Sequence, residues 1–131
     1  LKDKAFIEIQ SSINNSSQRI SVLFLELLES QFPIDHVRPV LKLRTPSDFA
    51  NRLQVHVNHL NRALKRTMQK TTTQIIAERI LAESKILLRN SNRNVSEIAY
   101  ALGFTEAAHF NNFFKKQMHT SPLKFRNVSI L

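Results

Sequence analysis

Cysteine and tryptophan are absent from this 131-residue chain, glycine and tyrosine occur once each, and proline occurs four times. Without cysteine there is no disulfide framework and no cysteine-based zinc site, a composition that fits a reducing compartment. Few glycines and prolines leave few helix breaks, and the abundance of leucine, isoleucine, alanine and lysine favours helix. The apolar run Val22 to Leu25 stops at Glu26, far short of the roughly 20 residues a membrane-spanning helix needs. No signal peptide is evident, and a cytoplasmic, nucleoid-associated protein is expected. Glycine-rich phosphate loops, Ser/His/Asp arrangements and paired carboxylates in an apolar setting are also missing, so no catalysis is expected. His56 and His59 stand three apart, but no carboxylate or cysteine accompanies them at ligand spacing. No metal and no cofactor is expected. The chain begins at Leu1 rather than methionine and is read as part of something longer.

Acidic side chains are scarce in one part only. The net charge is +9. Residues 1–41 carry four basic and five acidic groups, whereas residues 42–131 carry fifteen basic and five acidic. The whole positive excess therefore lies after residue 41, which is the footprint of a polyanion binder. At this length the chain can bury one good core or two small ones.

The single glycine, Gly103, organises the basic part. Val95, Ile98, Ala99 and Leu102 run up to it at helical spacing, and Ala107, Phe110, Phe114 and Met118 run away from it. A glycine takes φ > 0 without a Cβ penalty, so Gly103 suits a sharp corner between two short helices. Ala99, four positions earlier, permits a close crossing. The stretch 94–118 thus has the form of a helix-turn-helix, whose second helix enters a DNA groove.

Along the chain, Phe6, Ile9 and Ile13 have helical spacing, and Asn14-Asn15-Ser16-Ser17 reads as a break. A strongly apolar helix is expected over 18–31 with Ile20, Leu23, Phe24, Leu27 and Leu28 as its stripe. Val22 and Leu25 lie off that stripe, so cover is expected on two sides. Pro33 and Pro39 hold 32–44 extended. Thr45-Pro46-Ser47-Asp48 starts a helix over 46–53, Gln54-Val55 forms a corner, and a second helix over 56–68 buries Leu60, Leu64 and Met68. This repeats the layout of 94–118 without its glycine. Leu60 falls opposite Phe110, and Asn61-Arg62 opposite Asn111-Asn112. Between the units an uninterrupted helix over 73–88 turns Ile76, Ile80 and Leu87 inward and forms a rod of about 22 Å. The two second helices can then lie about 34 Å apart, one turn of B-DNA. Glu78 and Glu83 on the rod read as solvated partners of Arg79 and Lys85. Asn94 with Glu97 forms a capping box, and Ser121-Pro122 opens a last short helix in which Leu123 and Phe125 close the core. The fold class is all-α: two helix-turn-helix units, about 45–68 and 94–118, joined by a long linking helix and preceded by extra N-terminal helices.

On the helix 56–68 the outward side presents Asn58, Asn61, Arg62 and Lys65. Asparagine pairs bidentately with adenine, arginine with guanine, and lysine more often meets phosphate. On the later helix the outward side is Ala108, Asn111, Asn112 and Lys115, flanked by Lys116. Ala108 suits a thymine methyl, and His109 suits the groove rim or the packing against the partner helix. The starts of the short first helices, at Arg44-Thr45 and at Val95, point amides at phosphates.

The run NVSEIAYALGFTEAAHFNNFFKKQMHTSPLKFR, residues 94–126, resembles the signature of the AraC/XylS family of bacterial transcription regulators. The likeness rests on Ala99, Gly103 and Phe104, on Phe114-Lys115, and on Ser121-Pro122-Leu123-Lys124-Phe125-Arg126. Residues 45–93 resemble the family's first helix-turn-helix and linking helix. The resemblance implies a seven-helix domain whose two recognition helices enter successive major-groove segments on one face of promoter DNA. It places base reading at Asn58, Asn61 and Arg62, and at Ala107, Ala108, Asn111 and Asn112. Asn112 is shorter than the arginine or other long side chain that family members often carry on the second recognition helix.

The resemblance also implies a sensory or dimerising domain ahead of the DNA-binding part. Residues 1–41 are then its tail and the lead-in, and residues 42–131 the double helix-turn-helix. The N-terminal region either continues the missing domain or packs as a cap on the first helix-turn-helix. A split is expected, with 18–31 packed onto the domain and 1–13 meeting the missing domain or a second copy, so that a homodimer forms through residues 1–31 or through that domain. RNA polymerase is the expected protein partner. A second reading of the same charge is a basic helical protein-interaction module that meets an acidic partner. A non-specific RNA binder is a third, opposed by the scarcity of exposed aromatics.

Overall fold

The structure, a computed structural model, describes residues 4–128. Seven helices account for the described architecture: α1 (Lys4–Glu29), α2 (Pro46–Leu53), α3 (Val57–Met68), α4 (Thr72–Asn90), α5 (Val95–Ala101), α6 (Ala107–Met118) and α7 (Pro122–Asn127). Among the described residues there is no strand, and no helix is long and apolar enough to cross a membrane. The chain divides into two compact units. One comprises residues through Ser30 with Leu43–Ile76; the other comprises Gln31–Lys42 with residues from Ala77 onward. Residue 41 thus marks a step in charge, whereas packing assigns α1 to the first unit and the following connector to the second.

In the first unit α1 lies on α2 and α3. Ile20, Phe24 and Leu28 are buried on α1, against Phe49 and Ala50 of α2 and Leu60, Ala63 and Leu64 of α3. The Phe24 and Phe49 rings meet edge to face, with centroids 5.0 Å apart, a geometry that adds to the area they bury. Two expectations for this region are corrected. Asn14-Asn15-Ser16-Ser17 does not break the helix, since α1 runs unbroken from Lys4 to Glu29. None of those residues forbids helix, and Ser17, with Ser21 one turn on, has work on the buried face. Ser17 and Ser21 are buried; Ser17 Oγ accepts from Arg66 Nη1 at 3.4 Å, and Ser21 and Thr67 share a 2.7 Å hydrogen bond. Thr67 gives its proton to the Ala63 carbonyl, which makes Ser21 the donor to Thr67. The inward stripe is therefore 17–20–21–24–28, and Leu23, expected within it, is exposed. Ile13, also named in the helical spacing, has its side chain outside the described set.

In the second unit the connector 31–42 is strapped onto α4. Phe32, Ile34 and Leu41 are buried. The Arg79 guanidinium lies 3.9 Å over the Phe32 ring. Glu83 accepts from the Ile34 amide at 2.7 Å and from Arg79 Nη1 at 3.3 Å, and the Leu41 amide donates to the Ala101 carbonyl at 2.7 Å. Glu83 is 1% exposed, which corrects its expected place as a solvated residue. Burial of a carboxylate is tolerated because a backbone donor and a guanidinium both serve it. Around it Ile80, Leu87, Leu88, Ile98, Ala99, Leu102, Phe110 and Phe114 form the core. Successive ring contacts run Phe113–Phe104–Phe110–Phe114–Phe125, with centroids 5.3 to 5.9 Å apart. Leu123, expected to close that core, is 56% exposed. Pro122 and Phe125 face inward instead, and Leu123 lies one helical step to the side.

Candidate nucleic-acid interface

The two helix-turn-helix units are built alike down to their caps. Thr45 and Asp48 form a capping box at α2, and Asn94 and Glu97 form one at α5. Each corner turns on a residue with positive φ, Gln54 at 59° and Gly103 at 84°. Helices α3 and α6 start and end fifty residues apart. Both close on a left-handed residue, Gln69 and His119, whose amides donate to the Lys65 and Lys115 carbonyls. Gln54 shows that the corner conformation is available without glycine, at the steric cost a Cβ brings in that region. The second corner is two residues longer, 102–106 against 54–56, and Gly103 stands four positions before α6 whereas Gln54 stands three before α3. Ala99 is buried, and its carbonyl accepts from the Phe104 amide, so the small side chain does sit at the close turn.

On α3, Asn58, Asn61, Arg62 and Lys65 are all exposed. Asn61, Arg62 and Lys65 line one open cavity of about 320 Å³ with Pro46 and with Thr71, Thr72 and Thr73 at the start of α4. The buried Thr72 hydroxyl donates to Asn61 Oδ1 at 2.7 Å. That bond fixes the amide with its NH₂ outward and leaves a lone pair on Oδ1, so both halves of a bidentate contact to adenine stay available. Asn58 is not part of this cavity's lining. On α6, Ala108, Asn112, Lys115 and Lys116 are exposed, and Ala107 and Asn111 are half-buried.

The helix starts are more committed than the sequence implies. Thr45 and Arg44 give their amides to Asp48 Oδ2, each at 3.0 Å. Pro46 carries no N–H, and the Asp48 amide goes to Thr45 Oγ1. Among the first amides of α2 this leaves Ser47 outside the capping box. At α5 the Asn94 and Glu97 amides are likewise engaged, which leaves those of Val95 and Ser96. The Arg44 amide foremost, then the Thr45 amide and hydroxyl, hold the Asp48 carboxyl below its ordinary 3.8. Arg44 is half-buried, and burial lowers the pKa of its guanidinium against the opposing pull of Asp48. Sequence reading missed Thr71–Thr73 as neighbours of the α3 face, and it also missed Glu106, which pairs with His109 at the start of α6 at 3.7 Å. The three consecutive threonines ahead of a long helix were the available signal for the first.

A strongly basic chain with two helix-turn-helix units, each holding an exposed polar row on its second helix, defines a DNA-binding domain. A family model described as a helix-turn-helix domain matches residues 49–127. The chain is 29% identical over 118 residues to the HTH-type transcriptional activator RhaS of Escherichia coli, a match that covers 90% of this chain and 39% of that protein. Among solved structures, an AraC-type DNA-binding-domain regulator from Chromobacterium violaceum has a TM-score of 0.65 at 20% identity, covering 86% of this chain and 93% of the other. The DNA-binding domain of the global transcriptional factor AdpA, solved in complex with a target DNA, has a TM-score of 0.59 at 20% identity, covering 84% and 88%. The chain belongs to the AraC-type helix-turn-helix family of transcription regulators. Sequence-specific binding of double-stranded DNA in the regulation of transcription is the function that membership carries. The chain spans 39% of the length of the curated relatives it matches.

Proposed function

We propose that α3 and α6 are recognition helices that enter successive major-groove segments on one face of a bacterial promoter. The observation that carries the reading is the repeat itself: two helices of equal length, each closed by a left-handed residue and set fifty residues apart, put Asn61-Arg62 and Asn111-Asn112 at the same helical positions. Asn58, Asn61 and Arg62 read bases from α3, with Asn61 on adenine and Arg62 on guanine. Ala107, Ala108, Asn111 and Asn112 read from α6, where Ala108 meets a thymine methyl. Lys65, Lys115 and Lys116 hold phosphates, with the Val95 amide at the start of α5. At the start of α2 the Arg44 and Thr45 amides serve Asp48, which leaves the Ser47 amide for that contact, while Ala99 and Gly103 shape the corner. Residues 1–41 act as tail and lead-in to a preceding sensory or dimerising domain, and residues 42–131 carry the double helix-turn-helix. Residues 1–31 offer a docking surface for a second copy or for that domain; the exposed Phe6, Ile7, Ile9, Val22 and Leu23 support this. RNA polymerase is the protein partner at the promoter, the compartment is the cytoplasm, and the chain works without catalysis.

The test is titration of a selected duplex and a random duplex with the chain and with Asn61→Ala plus Arg62→Ala. Each lost bidentate contact removes about 1–3 kcal/mol of discrimination, so the selected duplex is expected to lose at least tenfold more affinity than the random one. Equal losses on both duplexes would mean that these residues are not base readers. Affinity that stays flat between low and physiological salt would favour a basic module for an acidic protein partner, because phosphate neutralisation gives a steep slope.

A further inference from the structure

The start of α6 breaks the pattern of its neighbours. Thr45 at α2, His56 at α3, Asn94 at α5 and Ser121 at α7 each accept an amide from their own first turn, whereas Glu106, the N-cap of α6, does not. Glutamate is not among the residues that cap well, and this one leaves its carboxylate in solvent: the side chain is 69% exposed. Its neighbour is His109, 60% exposed, with Nε2 at 3.7 Å from Glu106 Oε2. The other ring nitrogen of His109, Nδ1, is 3.5 Å from the Thr105 hydroxyl. Only Ala107 and Ala108 separate the two residues in sequence, so no bulky side chain comes between them along the helix.

A carboxylate is out of place on a surface built to meet phosphates, in the part of the chain that holds all the excess positive charge. Repulsion from the DNA backbone costs affinity there, and the fold gains no cap in exchange. Base edges offer the compensation. The major groove presents exocyclic amines on cytosine (N4) and adenine (N6), but adenine sets its acceptor N7 beside the amine, and that atom repels a carboxylate. Cytosine carries no such neighbour. The N-terminal residues of a recognition helix are the ones that reach base edges, and Glu106 stands at that end.

We propose that Glu106 is a specificity-determining residue that selects cytosine by accepting from its N4 amine, with His109 as the residue that positions the carboxylate. The proposal rests on the reading of α6 as a recognition helix. His109, with Nε2 at 3.7 Å from Oε2, holds the Glu106 carboxylate to one side of the helix end.

The experiment measures the full chain against a selected duplex and its single-base variants. Wild type is expected to prefer cytosine at one position of the block read by α6, by roughly fivefold or more. Glu106→Ala should erase that preference alone, leave the other positions unchanged, and raise affinity for random duplex because a negative charge is gone. Glu106→Gln should move the preference at that position toward adenine, which pairs bidentately with an amide. His109→Ala should weaken the same preference without touching the others. Glu106→Ser, which restores a cap, should raise the melting temperature and still lose the cytosine preference. If Glu106→Ala leaves every base preference intact and shifts only thermal stability, the carboxylate is a helix-end charge and the proposal falls. If instead Asn111→Ala plus Asn112→Ala, Glu106→Ala and His109→Ala all leave that block unchanged, the reading of α6 itself falls.

Discussion

Removing the Glu83 carboxylate leaves the buried Ile34 amide without its acceptor and takes the counter-charge from Arg79. Glu83→Ala is therefore expected to destabilise the second unit by about 1–3 kcal/mol in urea unfolding, and Glu83→Gln by less because an acceptor oxygen remains. Base preference should not change, since neither residue belongs to the exposed rows of α3 or α6. Gly103→Ala makes a parallel case. At φ 84° a Cβ costs roughly 1–2 kcal/mol, and the same denaturation series should show that loss with sequence preference intact. These two residues mark what single positions reveal before folding. Gly103 was legible because one glycine between two helical patterns has few other uses. Glu83 was not, because a helical wheel places every carboxylate in solvent unless the backbone donor that serves it is known, and Ile34 lies 49 positions away.

Helices and their ends were the most legible level. Periodic apolar residues with Thr45, Asn94 and Ser121 at the starts gave α2, α3, α5, α6 and α7 within a residue or so. Such signals are local: a cap needs only its own first turn. The single helix α1 was hidden because Asn14-Asn15-Ser16-Ser17 looks like a break until α3 lies beside it and Arg66 donates to Ser17. The connector 31–42 was legible as extended from Pro33 and Pro39, but nothing local says that it lies on α4. Two element-scale outcomes follow. Asp48 has a carboxyl pKa depressed below its ordinary 3.8, so its contribution is complete above that unfolded value and is lost as pH falls through the lower folded value. The urea midpoint should therefore decline below about pH 4, and Asp48→Asn should flatten that acid limb. Arg126 closes the end of α4 by donating from Nε to the Leu88 carbonyl at 2.7 Å and from Nη2 to the Leu87 carbonyl at 3.3 Å and the Ser91 carbonyl at 3.5 Å. Arg126→Ala should cost about 1.5–3 kcal/mol, and Arg126→Lys should recover only part of it, since an ammonium cannot match the fork.

At the scale of the whole molecule, charge and repetition carry the account. The asymmetry of charge across residue 41 was open to counting, and the repeat was open to overlaying 45–68 on 94–118. The partners of the exposed rows were not, because an outward asparagine looks the same on any polar face. Binding to duplex should weaken with salt along a log–log slope of about −0.9 per phosphate neutralised, and Lys65→Ala should reduce that slope by about one without altering base preference. The central claim, that α3 and α6 both read bases, is tested most directly by selecting bound duplexes from a random pool. The account predicts sites with two conserved blocks about one helical turn apart, the α3 block degraded by Asn61→Ala plus Arg62→Ala and the other block retained. A single conserved block, or no consensus at all, would contradict it.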